Sequence, residues 1–283
     1  MSNKEIKIIG AGPTGSLLAL AISTIDRSAV IDLYDTLTIN QIVKQRKSYA
    51  ITQSTRKLLV KINLWEILSP NFYPFNNLQL IDESSNSIVN FTSKDLRKEN
   101  CSSNSVGWII DHQTFMKVIF EQISINKNIS FNSNKLIPVE NNKVYDFIFG
   151  ADGSSSITRS SLGIHYYSHK YKQACLTAKI LIRGVCSHKA YEILREEGPL
   201  ALLPLGSNVF QVIWTAPYHQ CKRRELLPHP LLLNLLASVL PNGIEPDALI
   251  DDPITFSLKL SVTNSLFRGS TFLIGESSHS CHP

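Results

Sequence analysis

At 283 residues the chain is longer than one compact core usually grows, so two domains, or one α/β body with an inserted layer, are expected. Hydrophobic residues make up 43% and charged residues 18%, with 13 Gly and 13 Pro, which excludes disordered, collagen-like and coiled-coil classes. Lys plus Arg number 28 against 23 Asp plus Glu, a net +5 spread along the chain without a Lys/Arg block, so nucleic-acid binding has little support.

A short apolar run at 6–9 follows almost directly on the first residue and leaves no room for a signal peptide, so the fold is expected to start near residue 1. The run leads into Gly10-Ala11-Gly12-Pro13-Thr14-Gly15, and Leu17, Leu18, Ala19, Leu20 and Ile22 continue as a helix. In such a unit Gly10 permits the tight turn, Gly12 lets a pyrophosphate approach the backbone, and Gly15 with Ala19 lets the helix pack closely on the strand. The helix amino terminus then receives the phosphate charge. A second apolar strand, 29–34, ends at Asp35, about 20 residues past Gly15, where an acidic side chain can hydrogen-bond a ribose hydroxyl pair; Asp32 is the lesser candidate. No Gly-Lys-Ser/Thr follows the turn, which excludes a P-loop and leaves FAD or NAD as the dinucleotide.

Beyond this unit the chain does not alternate strand and helix as a dehydrogenase domain would. Arg46 leads into a helix with apolar positions Leu58, Leu59 and Ile62, ending near Leu64 and Trp65. Residues 145–149 read as a buried strand that stops at Gly150-Ala151-Asp152-Gly153-Ser154, with Arg159 shortly beyond. Strand-like runs at 176–182, 200–205 and 209–215, separated by Gly198-Pro199 and Gly206-Ser207-Asn208, read as an antiparallel or mixed sheet. The Leu-rich run at 231–240 is broken by Asn234 and Ser238 and bracketed by Pro230 and Pro241, short of the roughly 18 residues of a membrane span. Opening at Pro230 and lacking an adjacent Lys/Arg face, it reads as a core-facing helix. A last strand, 271–274, stops at Gly275-Glu276, and the chain then ends in a loop with no terminal helix, as if shortened.

Two other chemistries find no support. His279, Cys281 and His282 lack the spacing and the partner pair of a zinc site, so no metal is expected. Ser277 and Ser278 beside His279 have no nucleophile elbow around them, so no hydrolase is assigned. The five cysteines, Cys101, Cys175, Cys186, Cys221 and Cys281, are widely spaced without C-x-x-C, the usage of a reducing compartment, and the cytoplasm is expected.

Several segments in order carry a resemblance: the GAGPTG turn, QRKSYAIT with Arg46, VGWIIDHQTF around Gln113, DFIFGADGSSSITR, EGPLALLPLG at 197–206, VFQVIWT and FLIGESSHSCHP. Together they reach from residue 6 to 283. With them the chain resembles the flavin-dependent aromatic hydroxylases, the group of p-hydroxybenzoate hydroxylase, and within it most closely the ubiquinone-biosynthesis hydroxylases.

The resemblance implies an α/β fold: a Rossmann-type FAD-binding three-layer ββα domain with an inserted mixed or antiparallel β-sheet substrate domain. The first would comprise 1–75, 102–165 and 265–283, the second 76–101 and 166–264. Gly10, Ala11, Gly12, Pro13, Thr14 and Gly15 would hold the FAD pyrophosphate and Asp35 the adenosine ribose. Arg46 and Gln113 would contact the cofactor along its length, Asp152 and Gly153 would couple flavin binding to NAD(P)H, Gly275 and Glu276 would contact the ribityl chain, and Pro283 would approach the isoalloxazine. No acid or base residue is named as catalytic, since the flavin carries the chemistry.

The implied activity is NAD(P)H- and oxygen-dependent hydroxylation of an aromatic, prenylated quinone precursor, with a peripheral contact to a membrane or a quinone-biosynthesis complex. Two features depart from the family pattern: Glu276 stands where Asp is usual, and no Gly-Gln-Gly turn with its helix follows His282-Pro283. These motivate the rival expectation of a catalytically inactive remnant or interaction subunit; a flavin-dependent isoprenoid reductase is the further alternative.

Overall fold

The computed structural model describes residues 3–96, 104–133 and 143–281. Strand β1 (Glu5–Ile9) buries Ile6 and Ile8 and passes through the glycine turn into helix α1 (Pro13–Ile25). Pro13 suits the first helical turn, where its missing amide costs nothing. Strand β2 (Val30–Asp35) precedes a short helix α2 (Ile39–Val43), entered through a capping box between Thr38 and Gln41. Then come β3 (Ser48–Ile51), α3 (Gln53–Lys61), capped by the Thr52 hydroxyl, and α4 (Trp65–Leu68). A strand therefore separates Arg46 from the helix expected to follow it. On that helix Leu59 is buried, as is Ile62 just beyond it, but Leu58 is half exposed, so the apolar stripe is narrower than expected.

Strands β4 (Tyr73–Phe75), β5 (Asn77–Asp82), β6 (Ser87–Thr92) and β7 (Gly107–Asp111) lead to helix α5 (His112–Ile125), whose N-cap Asp111 accepts from the amides of Gln113 and Thr114. Strands β8 (Ile129–Ser133) and β9 (Phe147–Gly150) flank the next connection, and β9 runs into helix α6 (Ile157–Ser161). The remainder is mostly strand: β10 (Tyr166–Arg183), β11 (Lys189–Leu194), β12 (Leu200–Pro204) and β13 (Val209–Pro217) precede helices α7 (Tyr218–Glu225) and α8 (His229–Ala237). Strands β14 (Glu245–Leu249), β15 (Ile254–Thr263), β16 (Phe267–Arg268), β17 (Thr271–Leu273) and β18 (His279–Ser280) close the described chain.

These strands form separate sheets, and the chain is α/β as expected. A six-stranded sheet has the order β16-β17-β9-β1-β2-β8 and is parallel except at its β16–β17 edge. Helices α1 and α5 cover one face, burying Ile6, Ile8, Ile31 and Leu33 with Ala19, Leu20 and Met116. Strand side chains alternate between faces, so Lys7, Asp32 and Tyr34 lie on the other face. There the segment before β9 supplies Lys143 and Tyr145, which donate to the Asp32 carboxylate at 2.7 and 2.8 Å.

The larger sheet runs β18-β15-β10-β13-β12-β11-β5-β6 with β14 beside β10, antiparallel except where β11 meets β5, and is thus mixed. Its core gathers Leu176, Ile180, Phe210 and Trp214 under Leu232 and Leu236 of α8, so the Leu-rich helix faces the core as predicted. A three-stranded sheet, β3-β7-β4, joins the two: the Ser48 hydroxyl on β3 donates to the Gln211 side chain on β13 at 2.9 Å.

The strand expected to be buried at 145–149 is corrected: β9 starts at Phe147, and Phe147 is 38% exposed. Phe272 of β17 stacks on Phe149 and Phe267 and lies tilted against Phe147. Among the described residues no helix is long and apolar enough to cross a membrane.

Candidate dinucleotide site

At the carboxyl ends of β1, β2 and β9 the chain leaves a cavity of about 460 Å³, lined by Gly10, Gly12, Pro13, Thr14, Asp35, Lys47, Tyr49, Asp152, Gly153 and Glu276 among others. Ligands of open parallel sheets bind at such strand ends. The turn is built by close approach. At Gly10, φ is +104° and a Cβ would come within 2.3 Å of the Ala151 carbonyl oxygen; at Gly15 it would come within 1.8 Å of the Gly10 oxygen. The Ser16 hydroxyl, fully buried, donates to the Ala11 carbonyl at 2.8 Å and fixes the turn from inside.

Gly12 is different: nothing lies within 4 Å of where its Cβ would be, and the same holds at Gly153. Both line the cavity, so bare backbone is presented to open space on two sides. No side chain caps the amino terminus of α1 and no acid occupies its first turn. Its donors and positive dipole end face the cavity, the arrangement that receives a pyrophosphate. These residues fit a dinucleotide.

Asp35 lines the cavity from the end of β2, and its carboxylate accepts from the amides of Ala11 at 2.7 Å and Leu37 at 2.8 Å. It therefore ties the glycine turn to the second strand, with carboxylate lone pairs left for a ligand. Asp32 sits on the sheet face with Lys143 and Tyr145 and not at the cavity.

The Asp152 carboxylate is spent on α6, accepting from the Ser156 hydroxyl at 2.5 Å and from the Thr158 amide and hydroxyl, each at 2.9 Å. What it contributes at the cavity is the position of Gly153. Arg159, only 3% exposed, donates to the carbonyls of Ser154 and Ser277, each at 2.9 Å, and lies 4.0 Å over the Tyr166 ring. It clamps the loop after β9 to the turn after β17. In that turn Gly275 has φ +61°, and a Cβ would come within 2.8 Å of the Thr14 hydroxyl, so only glycine lets the turn reach α1. Glu276 is exposed into the cavity and forms no ion pair among the described residues.

Not every expected contact gathers there. Arg46 is exposed, and the cavity wall on either side of it is Gln45 and Lys47. Gln113 sits in the first turn of α5, its amide bonded to Asp111, and does not line the cavity. Ala11, Gly15 and Gly275 shape the walls without lining them. Pro283 and His282 lie outside the described residues.

Lys47, Tyr49 and His112 are the residues that motif reading missed. The Tyr49 hydroxyl lies 2.6 Å from His112 Nδ1, and His112 Nε2 lies 2.7 Å from the Ile42 carbonyl oxygen. The first two sit within the QRKSYAIT segment already singled out for Arg46, which is the signal that could have found them. The reach of His112 to the site depends on how α5 meets β3.

No family model matches the chain. Over 99% of its length it is 24% identical to an uncharacterized protein of Synechocystis, covering 70% of that protein. Over 99% it is 21% identical to the ubiquinone hydroxylase UbiM of Neisseria meningitidis, covering 64% of it. The chain thus spans about two thirds of the length of these relatives. Its fold matches that of p-nitrophenol 4-monooxygenase from Pseudomonas putida with a TM-score of 0.77 at 13% identity, over 100% of this chain and 75% of that one. It also matches Klebsiella pneumoniae HpxO, solved in complex with FAD, with a TM-score of 0.72 at 16% identity over 98% and 75% of the two chains. The chain is thus similar along its length to named ubiquinone hydroxylases and shares its fold with FAD-dependent monooxygenases.

Proposed function

We propose that this chain binds FAD in the 460 Å³ cavity and hydroxylates an aromatic quinone precursor with NAD(P)H and oxygen. The observation that carries the reading is the uncapped amino terminus of α1 facing bare backbone at Gly12 and Gly153 across one cavity. In this reading the turn from Gly10 to Gly15 holds the pyrophosphate, with Lys47 as the nearby cation, Asp35 takes the adenosine ribose, and Glu276 takes the ribityl chain. The segments 1–75, 102–165 and 265–283 form the cofactor unit and 76–101 with 166–264 the substrate sheet, although β18 pairs with β15 across that division.

FAD, when bound, supplies hydride acceptance and oxygen activation. One oxygen atom enters the ring as hydroxyl, the other leaves as water, and NAD(P)H provides the electron pair. The protein's part is to orient the ring and keep water out. Likeness to ubiquinone hydroxylases supports a prenylated phenol as substrate.

The test is the flavin content of the purified chain, read by visible absorbance and by FAD released on heating, followed by NAD(P)H oxidation with a prenylated phenol. Near-stoichiometric FAD and a product heavier by one oxygen support the reading. A colourless protein that cannot be reconstituted, or stoichiometric peroxide without hydroxylated product, overturns it.

A further inference from the structure

His112 is fully buried, and both of its ring nitrogens are engaged. A carbonyl oxygen can only accept, so the bond to Ile42 places the single proton of the neutral imidazole on Nε2. Nδ1 is then an acceptor, and the Tyr49 hydroxyl must donate to it. The one hydrogen that Tyr49 owns is thereby turned away from the cavity, and the residue presents oxygen lone pairs alone to any ligand there.

The groups around the pair hold this polarity. Burial drives the His112 pKa below its ordinary value, with the Ile42 carbonyl and Asp111 opposing and Lys47 reinforcing, so the ring is neutral near pH 7. Burial, and then the nearby Glu276 carboxylate, push the Tyr49 phenol far up, so it keeps its proton. Glu276 is itself acceptor-only when ionised, and it lines the same cavity. Two acceptor-only groups beside one stretch of ligand repel phosphate and carbonyl oxygens and match a run of hydroxyls. The donors that suit phosphate, the α1 amides, open onto the cavity at the glycine turn.

We infer that Tyr49, held as an obligate acceptor by His112, reads a hydroxyl of the polyol segment of the bound dinucleotide, with His112 as its positioning residue. This rests on the FAD reading and adds to it the residues that select the sugar-alcohol part of the cofactor.

The test compares FAD with ADP, which carries the adenosine pyrophosphate but no ribityl chain, by equilibrium binding to the apoprotein. Tyr49→Phe weakens FAD roughly three- to tenfold, the worth of one hydrogen bond, and leaves ADP unchanged. His112→Leu frees the Tyr49 hydroxyl and weakens FAD to a similar extent. His112→Gln restores binding, since its amide accepts from Tyr49 and donates to Ile42 as the imidazole does. Equal losses for FAD and ADP, or unchanged FAD affinity in Tyr49→Phe, overturn the inference. If His112→Leu fails to fold, Tyr49→Phe still decides. Wild-type protein that binds ADP but not FAD overturns this inference together with the FAD reading, whereas equal FAD affinity of wild type and Tyr49→Phe overturns this inference alone.

Discussion

Glu276 at the cavity and Glu197 in the large sheet are both glutamates in turns between strands, and their surroundings differ in kind. Glu197 accepts from Trp214 Nε1 at 2.8 Å, from Arg195 at 2.9 Å and from Arg224 at 2.8 Å, while the Arg224 guanidinium stacks 3.9 Å over the Trp214 ring. Burial raises its pKa, but the bonds from Arg224 and Trp214 outweigh this and hold the carboxyl below its ordinary value. Glu276 faces open space without such partners. The contrast separates a carboxylate used to hold strands and helices together from one free to meet a ligand. It extends to the glycines: a Cβ at Gly10 or Gly15 would strike backbone, whereas one at Gly12 would meet nothing within 4 Å.

The largest expected effect comes from making the glycines exchange roles. Gly15→Ala forces a methyl to within 1.8 Å of the Gly10 oxygen, against backbone that cannot move cheaply. We expect a loss of more than about 3 kcal/mol in unfolding free energy, or failure to fold, measured by denaturant titration. Gly12→Ala, in the same turn, should leave stability within about 0.5 kcal/mol, because its φ is −65° and the new methyl enters empty space. That space is the cavity, so FAD binding should fall sharply. Equal destabilisation by the two would break the distinction between wall and lining.

Glu197→Gln comes next. It leaves Arg195 and Arg224, both mostly buried, without their shared anion. Loss of one partner from a buried pair costs 3–5 kcal/mol; partial exposure here reduces the expectation to about 2 kcal/mol. FAD affinity should not change. The pH dependence carries the sign: the folded pKa lies below the ordinary 4.5, so the stabilisation is complete above 4.5 and is lost as pH falls through the folded value. In the variant that acid-side loss should shrink, and an unchanged profile would remove Glu197 from the stabilising set.

The same contrast explains what could be read from sequence. The glycine turn was legible because Gly10 and Gly15 meet hard constraints, a positive φ at the first and backbone too close for a Cβ at both, while Gly12 leaves its side open to the cavity. Asp35 was legible because a strand of fixed rise sets its distance from the turn. The large sheet was legible in outline as separate runs, but not as one strand from Tyr166 to Arg183, since a bulge between Lys170 and Ala174 interrupts the register and its first half is exposed. Phe147 misled because an apolar side chain predicts burial only where something covers it, and here it meets other rings at the surface. The Tyr49–His112 pair joins residues 63 apart in sequence, and no local pattern specifies that meeting.

The smallest expected effect tests the one place where motif and geometry part by a single residue. Arg46 carries the motif, but Lys47 lines the cavity and Arg46 is exposed beside it. Both side chains are exposed just before β3, and of the two cations only Lys47 lines the cavity. Lys47→Ala should weaken FAD by about 1 kcal/mol or less and flatten the salt dependence of binding, since a solvent-facing ammonium attracts phosphate mainly through screened charge. Arg46→Ala should change neither. Equilibrium FAD binding at low and high ionic strength measures both variants. A loss confined to Arg46→Ala would mean that the segment leading into β3 turns the other way when the dinucleotide is bound.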